Sequence, residues 1–317
     1  MKRYIAGHMG LVGSALRRRW AGRSDLQLLT ATRAELDLTD QRAVEEWLAR
    51  ARPDEVVIAA GRVGGIAANA SAPASFLYEN LMIEANIIHA AWKAGARRLL
   101  NFGSSCMYPK HCPQPMQPAH LMTGPMEPTS EPYAMAKWAG LSLCAAYNRQ
   151  YGARFMTAIP CTVYGPGDNF DLTEGHVLSA LIRKFHEAKE RGDHEVTLWG
   201  SGQARREFLY ADDVAEACDV LLERFDGSAP INVGSGAAHT IRESAELIAA
   251  IVGFHGTIQW DPSQPDGAPE KRLDSSAIRE LGWAPRTSLR VGLERTCQWF
   301  VTHEATRLSR EQPCASL

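Results

Sequence analysis

Short apolar runs and amphipathic stripes alternate through the first half of the chain. Residues 3–6, 26–30, 55–60, 99–101 and 155–159 are compact runs of the kind that form buried strands. Between them, residues 41–51 place Val44, Trp47 and Leu48 on one helical face, and residues 79–94 and 133–151 carry further helical patterns. Strand–helix alternation with right-handed crossovers predicts an α/β fold on a doubly wound parallel sheet. Beyond Tyr164-Gly165-Pro166-Gly167-Asp168-Asn169-Phe170 the pattern breaks up. Helices are predicted at 176–190, 211–223 and 241–252, with strand-like pieces at 195–199 and 231–233. The expected division is a main domain over 1–165 and a smaller C-terminal lobe over 166–317, interleaved with the last sheet elements and ending in a frayed polar tail over 305–317.

A length of 317 residues exceeds what a single core holds comfortably, in keeping with two lobes. Hydrophobic and charged fractions of 45% and 22% are those of an ordinary soluble globular chain. The formal net charge of −2 gives no general attraction for nucleic acid or an anionic membrane, so an anionic ligand needs a local basic cluster. A glycine loop begins at Gly7, leaving no room for a signal peptide's apolar region, and no stretch reaches the roughly 18 apolar residues of a membrane span. The cysteines, at 106, 112, 144, 161, 218, 297 and 314, form no Cys-x-x-Cys pair and are odd in number, which points to reduced thiols in a cytoplasm. No metal site is expected.

Three segments carry chemistry. Gly7-His8-Met9-Gly10-Leu11-Val12-Gly13 stands between the first strand and a helical pattern over 14–20. Glycines at this spacing permit a tight turn, close approach of a pyrophosphate and close helix–strand packing, while free amides and the helix dipole bind phosphates. A ligand-free turn is the plain alternative. Phe102-Gly103-Ser104-Ser105-Cys106-Met107-Tyr108-Pro109 ends an apolar strand and delivers hydroxyls and a thiol to the carboxyl edge of the sheet, where open α/β folds bind ligands. Here the alternative is an ST-turn beside an inert buried thiol. In Glu131-Pro132-Tyr133-Ala134-Met135-Ala136-Lys137 a phenol and an ammonium share one helix face. The cation is expected to lower the Tyr133 pKa from about 10, so that the phenol exchanges protons near neutrality.

Together these segments resemble the extended short-chain dehydrogenase/reductase superfamily. The loop at Gly7-His8-Met9-Gly10, Arg62-Val63-Gly64-Gly65-Ile66, Tyr78-Glu79-Asn80, the segment from Gly103 through Lys110, and Trp199-Gly200-Ser201-Gly202 with Arg206-Glu207-Phe208 resemble the GDP-L-fucose synthase family over about residues 3–300. The resemblance implies a Rossmann-type sheet with a C-terminal substrate lobe, NADP(H) as cofactor, a GDP-linked 4-keto-deoxyhexose as substrate and a homodimer. The implied reaction is 3,5-epimerisation followed by hydride reduction at C4. Tyr133 and Ser104 would hold the C4 oxygen, Lys137 would hold the nicotinamide ribose, and Cys106 and His176 would move the protons at C3 and C5. Cofactor contacts would come from the whole glycine loop, Gly7 to Gly13, and from Arg33, Asp37 and Leu38 after the second strand. Phe102, Gly103, Ser104 and Ser105, then Pro160, Cys161, Thr162 and Val163, would add to these, with Tyr133, Lys137 and His176. Substrate contacts would come from Lys184, Trp199, Arg206 and Asp266: two cations for a diphosphate, a ring for a sugar or base face, and an acceptor for hydroxyls.

Two positions depart from the family: Met9 stands where an arginine is usual, and Thr162 where an asparagine is usual. Arg33 matches the family's 2′-phosphate contact and no acid precedes Glu35, so NADPH is expected to be preferred over NADH. Apolar Leu81, Ile83, Ile87, Ile88, Trp92, Trp138, Leu141 and Leu143 occupy more than one face of their helices, the basis for expecting a four-helix dimer interface. Rival readings are a GDP-L-colitose-type synthase, an NAD-retaining 4-epimerase or 4,6-dehydratase, and a non-catalytic NADP-binding sensor. A dehydratase would place Asp-Glu where this chain has Ser105-Cys106, and a 4-epimerase has no use for Cys106 and His176. The five candidate catalytic groups standing together argue against a sensor.

Overall fold

The structure is a computed structural model that describes residues 1–264 and 266–305. The expected frayed tail therefore lies, beyond Ala305, outside the described residues. In chain order the elements are β1 (Lys2–Ala6), α1 (Leu11–Trp20), β2 (Gln27–Leu29), α2 (Gln41–Ala51), β3 (Glu55–Ile58), α3 (Ile66–Ser71), α4 (Pro73–Lys93), β4 (Arg98–Phe102), α5 (Glu131–Tyr151), β5 (Phe155–Pro160) and β6 (Thr162–Tyr164). They continue with α6 (Val177–Arg191), β7 (Glu195–Trp199), β8 (Arg205–Tyr210), α7 (Ala211–Arg224), β9 (Ile231–Val233), β10 (Ala238–Thr240), α8 (Ile241–Val252), β11 (Thr257–Asp261), β12 (Glu270–Lys271), α9 (Ser276–Glu280) and α10 (Leu289–Trp299).

The main sheet runs β2-β1-β3-β4-β5-β9, and every pairing in it is parallel. Parallel strands put their carboxyl ends on one edge, so the turns after β1, β3, β4 and β5 converge there. The chain leaves β1 towards β2 and returns to pair β3 on the other side, which opens a crevice at that reversal. Alternate strand residues feed opposite layers. Tyr4, Val56, Ile58 and Leu99 pack with α2, α4 and α5. Ile5, Val57, Leu100 and Phe102 pack with α1 and α7.

α4 begins at Pro73, six residues before the expected position 79. Proline in the first turn lacks only an N–H that would have no helical partner, so it can start the helix ahead of the apolar pattern. α2, α5, α6, α7 and α8 lie within about two residues of expectation, whereas α1 starts three residues early, at Leu11, and α10 is not among the expected helices. The C-terminal lobe has its own core, in which Leu178, Ile182 and Phe185 of α6 meet Ile248 of α8 and Leu293 of α10. It is tied back to the main sheet because β9, late in the chain, pairs with β5.

Candidate active site

The glycine loop has the geometry of a phosphate cradle. Gly7 has φ 82°, and a Cβ there would lie 2.6 Å from the Ala60 backbone, so only glycine lets β1 turn beside β3. A Cβ on Gly13 would sit 2.0 Å from the Gly7 carbonyl oxygen, which makes Gly13 the point of closest helix–strand packing. Gly10 is different: a Cβ there would meet only the Gly7 oxygen, at 3.6 Å, so the space above it is open. Gly10 also caps α1 with no side-chain hydrogen bond and no acid in the first turn, leaving the helix's positive end available to an anion. His8 is buried with an unpartnered Nδ1, and Leu11 and Val12 pack on the core. These residues fit a dinucleotide. Arg33 is exposed after β2, Asp37 closes a turn onto Thr39, and the Leu38 carbonyl accepts from Asn86 at 3.0 Å. Glu35 accepts from the Thr32 amide at 2.7 Å and from its hydroxyl at 2.8 Å.

At the end of β4, the Gly103 amide donates to the Ala158 oxygen at 2.8 Å and Ser104 caps a short helical turn holding Ser105 and Cys106. The Ser104 hydroxyl accepts from the Cys106 amide at 3.2 Å and also bonds the Tyr133 phenol. Phe102 closes the strand beneath, and Pro160, Cys161, Thr162 and Val163 occupy the β5–β6 junction on the same edge. Lys137 lies one turn beyond Tyr133 on α5, its Nζ 5.8 Å from the phenol ring centre.

The expected lowering of the Tyr133 pKa is not what the structure shows. Burial dominates and raises it; Lys137 and Ser104 pull it down, but Cys106 and Glu84 push it up, and the balance stays above the usual tyrosine value. The main reason is burial of the phenol, which outweighs the downward pull of Lys137. Glu84 adds a smaller upward push: its carboxylate accepts from Lys137 Nζ at 2.6 Å with both side chains buried. Burial would lower the Lys137 pKa, but the charge and hydrogen bond of Glu84 together with Tyr133 outweigh it and hold the pKa above the ordinary lysine value.

Cys106 and His176 are driven towards opposite charge states. Burial would raise the Cys106 thiol, but the charge of Lys271 and hydrogen bonds from Ser104, Ser130 and Lys271 bring its pKa below the usual cysteine value. His176 stands at the N-cap of α6. Burial disfavours its charged form, yet the bond to Asp168 (Nδ1 to Oδ1, 3.4 Å), that carboxylate's charge and Cys106 together raise its pKa. Asp168 is itself held by the Asn169 amide at 2.8 Å and by a close hydrogen bond from the Ser179 hydroxyl. A thiol whose pKa is drawn down and an imidazole whose pKa is pushed up are shifted towards the roles of base and acid.

The substrate-lobe candidates share one wall. Trp199, 59% exposed, ends β7, and Gly200 with φ 79° turns the chain so closely over Asp266 that a Cβ would lie 2.3 Å from Oδ1. Ser201 donates to Asp266 through its amide at 2.8 Å and its hydroxyl at 2.7 Å, so Asp266 is first a loop anchor. Arg206 on β8 reaches the Asp266 carbonyl at 3.1 Å. Lys184 donates to the Thr197 carbonyl at 2.9 Å, and partial burial lowers its pKa. The Arg62 and Tyr78-Glu79-Asn80 motifs explain each other: Arg62 pairs with Glu79 at 2.7 Å, and Asn80 accepts from the Arg62 amide at 3.0 Å. That pinned loop continues to Gly65, whose amide donates to the Glu174 carbonyl beside His176 at 2.9 Å.

The profile of the NAD dependent epimerase/dehydratase family matches residues 3–234. GDP-L-fucose synthase 1 of Arabidopsis thaliana is 48% identical over 96% of this chain and 95% of its own length. GDP-L-fucose synthase of Escherichia coli (strain K12) is 48% identical over 95% of this chain and 97% of its own. The chain belongs to the GDP-L-fucose synthase family. GDP-L-colitose synthase of Yersinia pseudotuberculosis is more distant, at 39% identity over 96% of this chain and 99% of its own. The crystal structure of a GDP-L-fucose synthetase from Naegleria fowleri bound to NADP superposes with a TM-score of 0.88 at 25% identity, covering 96% of this chain and 95% of that one.

For a GDP-L-fucose synthase family member, three residues of this site escaped the sequence reading. Glu84 was the visible one, a lone acid within apolar Leu81-Met82-Ile83 and Ile87-Ile88. Asp168 lies in the Gly165–Phe170 loop, where the sequence carries no sign of a partner for His176. Lys271 left no local signal, since the β8–β12 pairing that places it joins distant segments. Of the two departures, Met9 is 67% exposed in the glycine loop. Thr162 pairs with Phe208 of β8, and nothing in the structure gives its replacement of asparagine a consequence.

Proposed function

We propose that the chain catalyses NADPH-dependent 3,5-epimerisation and 4-reduction of GDP-4-keto-6-deoxy-D-mannose to GDP-L-fucose. The observation that carries this is the thiol–imidazole pair, Cys106 and His176, with pKa values shifted in opposite directions beside the Ser104–Tyr133–Lys137 group. A simple reductase or 4-epimerase needs the second group but not the first. The 48% identity to the Arabidopsis thaliana and Escherichia coli fucose synthases exceeds the 39% to the colitose synthase, which favours the 6-deoxy substrate with a 3-hydroxyl.

In this reading the Cys106 thiolate takes an acidic proton α to the ketone, and His176 returns one on the other face. Ser104 and Tyr133 donate hydrogen bonds to the C4 oxygen while it carries enolate charge. The raised Tyr133 pKa suits this task, because the phenol keeps its proton until an alkoxide forms at C4 and then delivers it. NADPH, when bound, supplies the hydride to C4. Its phosphates would lie on the Gly7–Gly13 loop, its 2′-phosphate by Arg33 and its nicotinamide ribose by Lys137. Arg206, Lys184 and Trp199 would hold the GDP-sugar, with Asp266 fixing the loop and accepting from hydroxyls. The working division is an NADP-binding domain over 1–165 and a mainly substrate-binding lobe after it.

The proposal includes a cytoplasmic homodimer through α4 and α5. Ile83, Ile87, Ile88 and Leu141 are buried within the single chain, so they no longer argue for an interface. Leu77, Tyr78, Met135 and Tyr151 remain exposed, and Trp92 and Tyr151 stack at 4.3 Å on the same pair of helices. Among the described residues no helix is long and apolar enough to cross a membrane. The test is stoichiometry: one NADPH should be consumed for each GDP-L-fucose formed, and consumption yielding a different GDP-hexose would refute the assignment.

A further inference from the structure

We propose that Glu84 is a positioning residue for the reducing group: its carboxylate keeps the Lys137 ammonium charged and fixed within reach of Tyr133. The inference rests on the reaction proposed above. A carboxylate in the middle of an apolar helix is costly to bury unless it is paired and hydrogen-bonded. Glu84 is 1% exposed and Lys137 4%. Both oxygens are satisfied, Oε1 by Lys137 Nζ at 2.6 Å and Oε2 by Asn101 Nδ2 of β4 at 3.2 Å. The opposite helix is built around the carboxylate. A Cβ on Gly140 of α5 would lie 1.5 Å from Glu84 Oε2, so α5 carries no side chain where the acid enters.

The titratable groups around the pair are few. Tyr133 and Cys144 of α5 feel these charges, Cys106 of the strand-end turn acts on Tyr133 but not on the pair, and Asn101 contributes a neutral amide. With Glu84 made neutral, the buried ammonium loses its counter-charge and gives up its proton at lower pH. The Tyr133 phenol, freed of a nearby negative charge, also ionises at lower pH. Both changes end the same working state, phenol protonated and lysine charged, on the alkaline side. The direction is therefore fixed whichever group moves more.

The experiment is the pH profile of kcat/KM for NADPH-dependent reduction in wild type, Glu84→Gln and Glu84→Asp. In Glu84→Gln the alkaline limb should fall by about one pH unit or more, while the rate near about pH 6 stays within roughly threefold of wild type. Glu84→Asp keeps the charge but withdraws it by one methylene, so its limb should shift less in the same direction. A loss equal at all pH values, with the limb unmoved, would show a purely structural carboxylate and overturn the proposal. If Glu84→Gln does not fold, an unmoved limb in Glu84→Asp overturns it instead. A wild type that reduces no GDP-4-keto sugar would refute the assigned reaction rather than the pairing. The pairing is then read from thermal melts: Glu84→Gln/Lys137→Met should melt above both single variants, and additive losses would refute it.

Discussion

Lys271 Nζ stands 3.7 Å from the Cys106 sulfur, across a sequence separation of 165 residues. The contact exists because β12 runs parallel to β8 with Lys271 opposite Arg206, and the Leu273 amide is pinned to Glu207 of β8 at 2.7 Å. Lys271→Met keeps the bulk and removes the charge. The pH at which C3/C5 exchange reaches half its maximum should rise by about one unit, and exchange at neutral pH should fall about tenfold. Deuterium uptake by mass spectrometry reads both. An unchanged profile would remove Lys271 from thiol activation.

Reduction and proton exchange should separate by mutation. Tyr133→Phe removes the proton donor to the C4 alkoxide and should cut NADPH oxidation by about a hundredfold or more. Cys106→Ser should abolish exchange at C3 and C5 while NADPH binding, measured by fluorescence, stays intact. Normal exchange in Cys106→Ser would take Cys106 out of the mechanism.

Asp168→Asn should lower the His176 pKa, since the carboxylate that holds it up against burial is gone. The imidazolium acid is then lost at lower pH, and the alkaline limb of exchange moves down. Stability follows the same sign. A histidine whose folded pKa exceeds its unfolded value near about 6.5 stabilises the fold below that value and loses this as pH rises through the folded one. The melting temperature lost in Asp168→Asn should therefore be larger near about pH 5.5 than near about pH 8.5. Equal losses at both would contradict the coupling.

Cofactor choice should be weakly enforced. Met9 carries no charge for a 2′-phosphate, which leaves Arg33 as the matched contact. A hydrogen bond to a charged group contributes roughly 1.5–3 kcal/mol, so discrimination should be about ten- to a hundredfold weaker than with both arginines. NADPH should still win, NADH should be usable, and Met9→Arg should sharpen the preference in kcat/KM. An unchanged ratio would show that position 9 does not face the phosphate.

The parts of the site that were legible in the sequence are those made by one strand end and the residues just after it. Gly7 to Gly13 and Gly103 to Cys106 each follow a parallel strand, so their place on the sheet edge follows from periodicity alone. The Tyr133–Lys137 spacing likewise fixed a shared helix face. What stayed hidden was the electrostatic balance, because it depends on contacts between elements. Local spacing places Lys137 beside Tyr133 but shows neither the burial of the phenol, which outweighs the lysine, nor the smaller opposing charge of Glu84 from α4, so the Tyr133 shift runs upward instead of downward. Lys271 and Asp168 were invisible for the same reason: each acts on a residue brought near by pairing or loop closure.

The most direct measurement is product analysis in deuterium oxide. Wild-type protein is incubated with GDP-4-keto-6-deoxy-D-mannose and NADPH, and the GDP-sugar is examined by proton NMR. The account predicts GDP-L-fucose with deuterium at C3 and C5, protium from NADPH at C4, and no such labelling when Cys106→Ser replaces the wild type. A C4-reduced GDP-sugar that retains protium at C3 and C5 would contradict it.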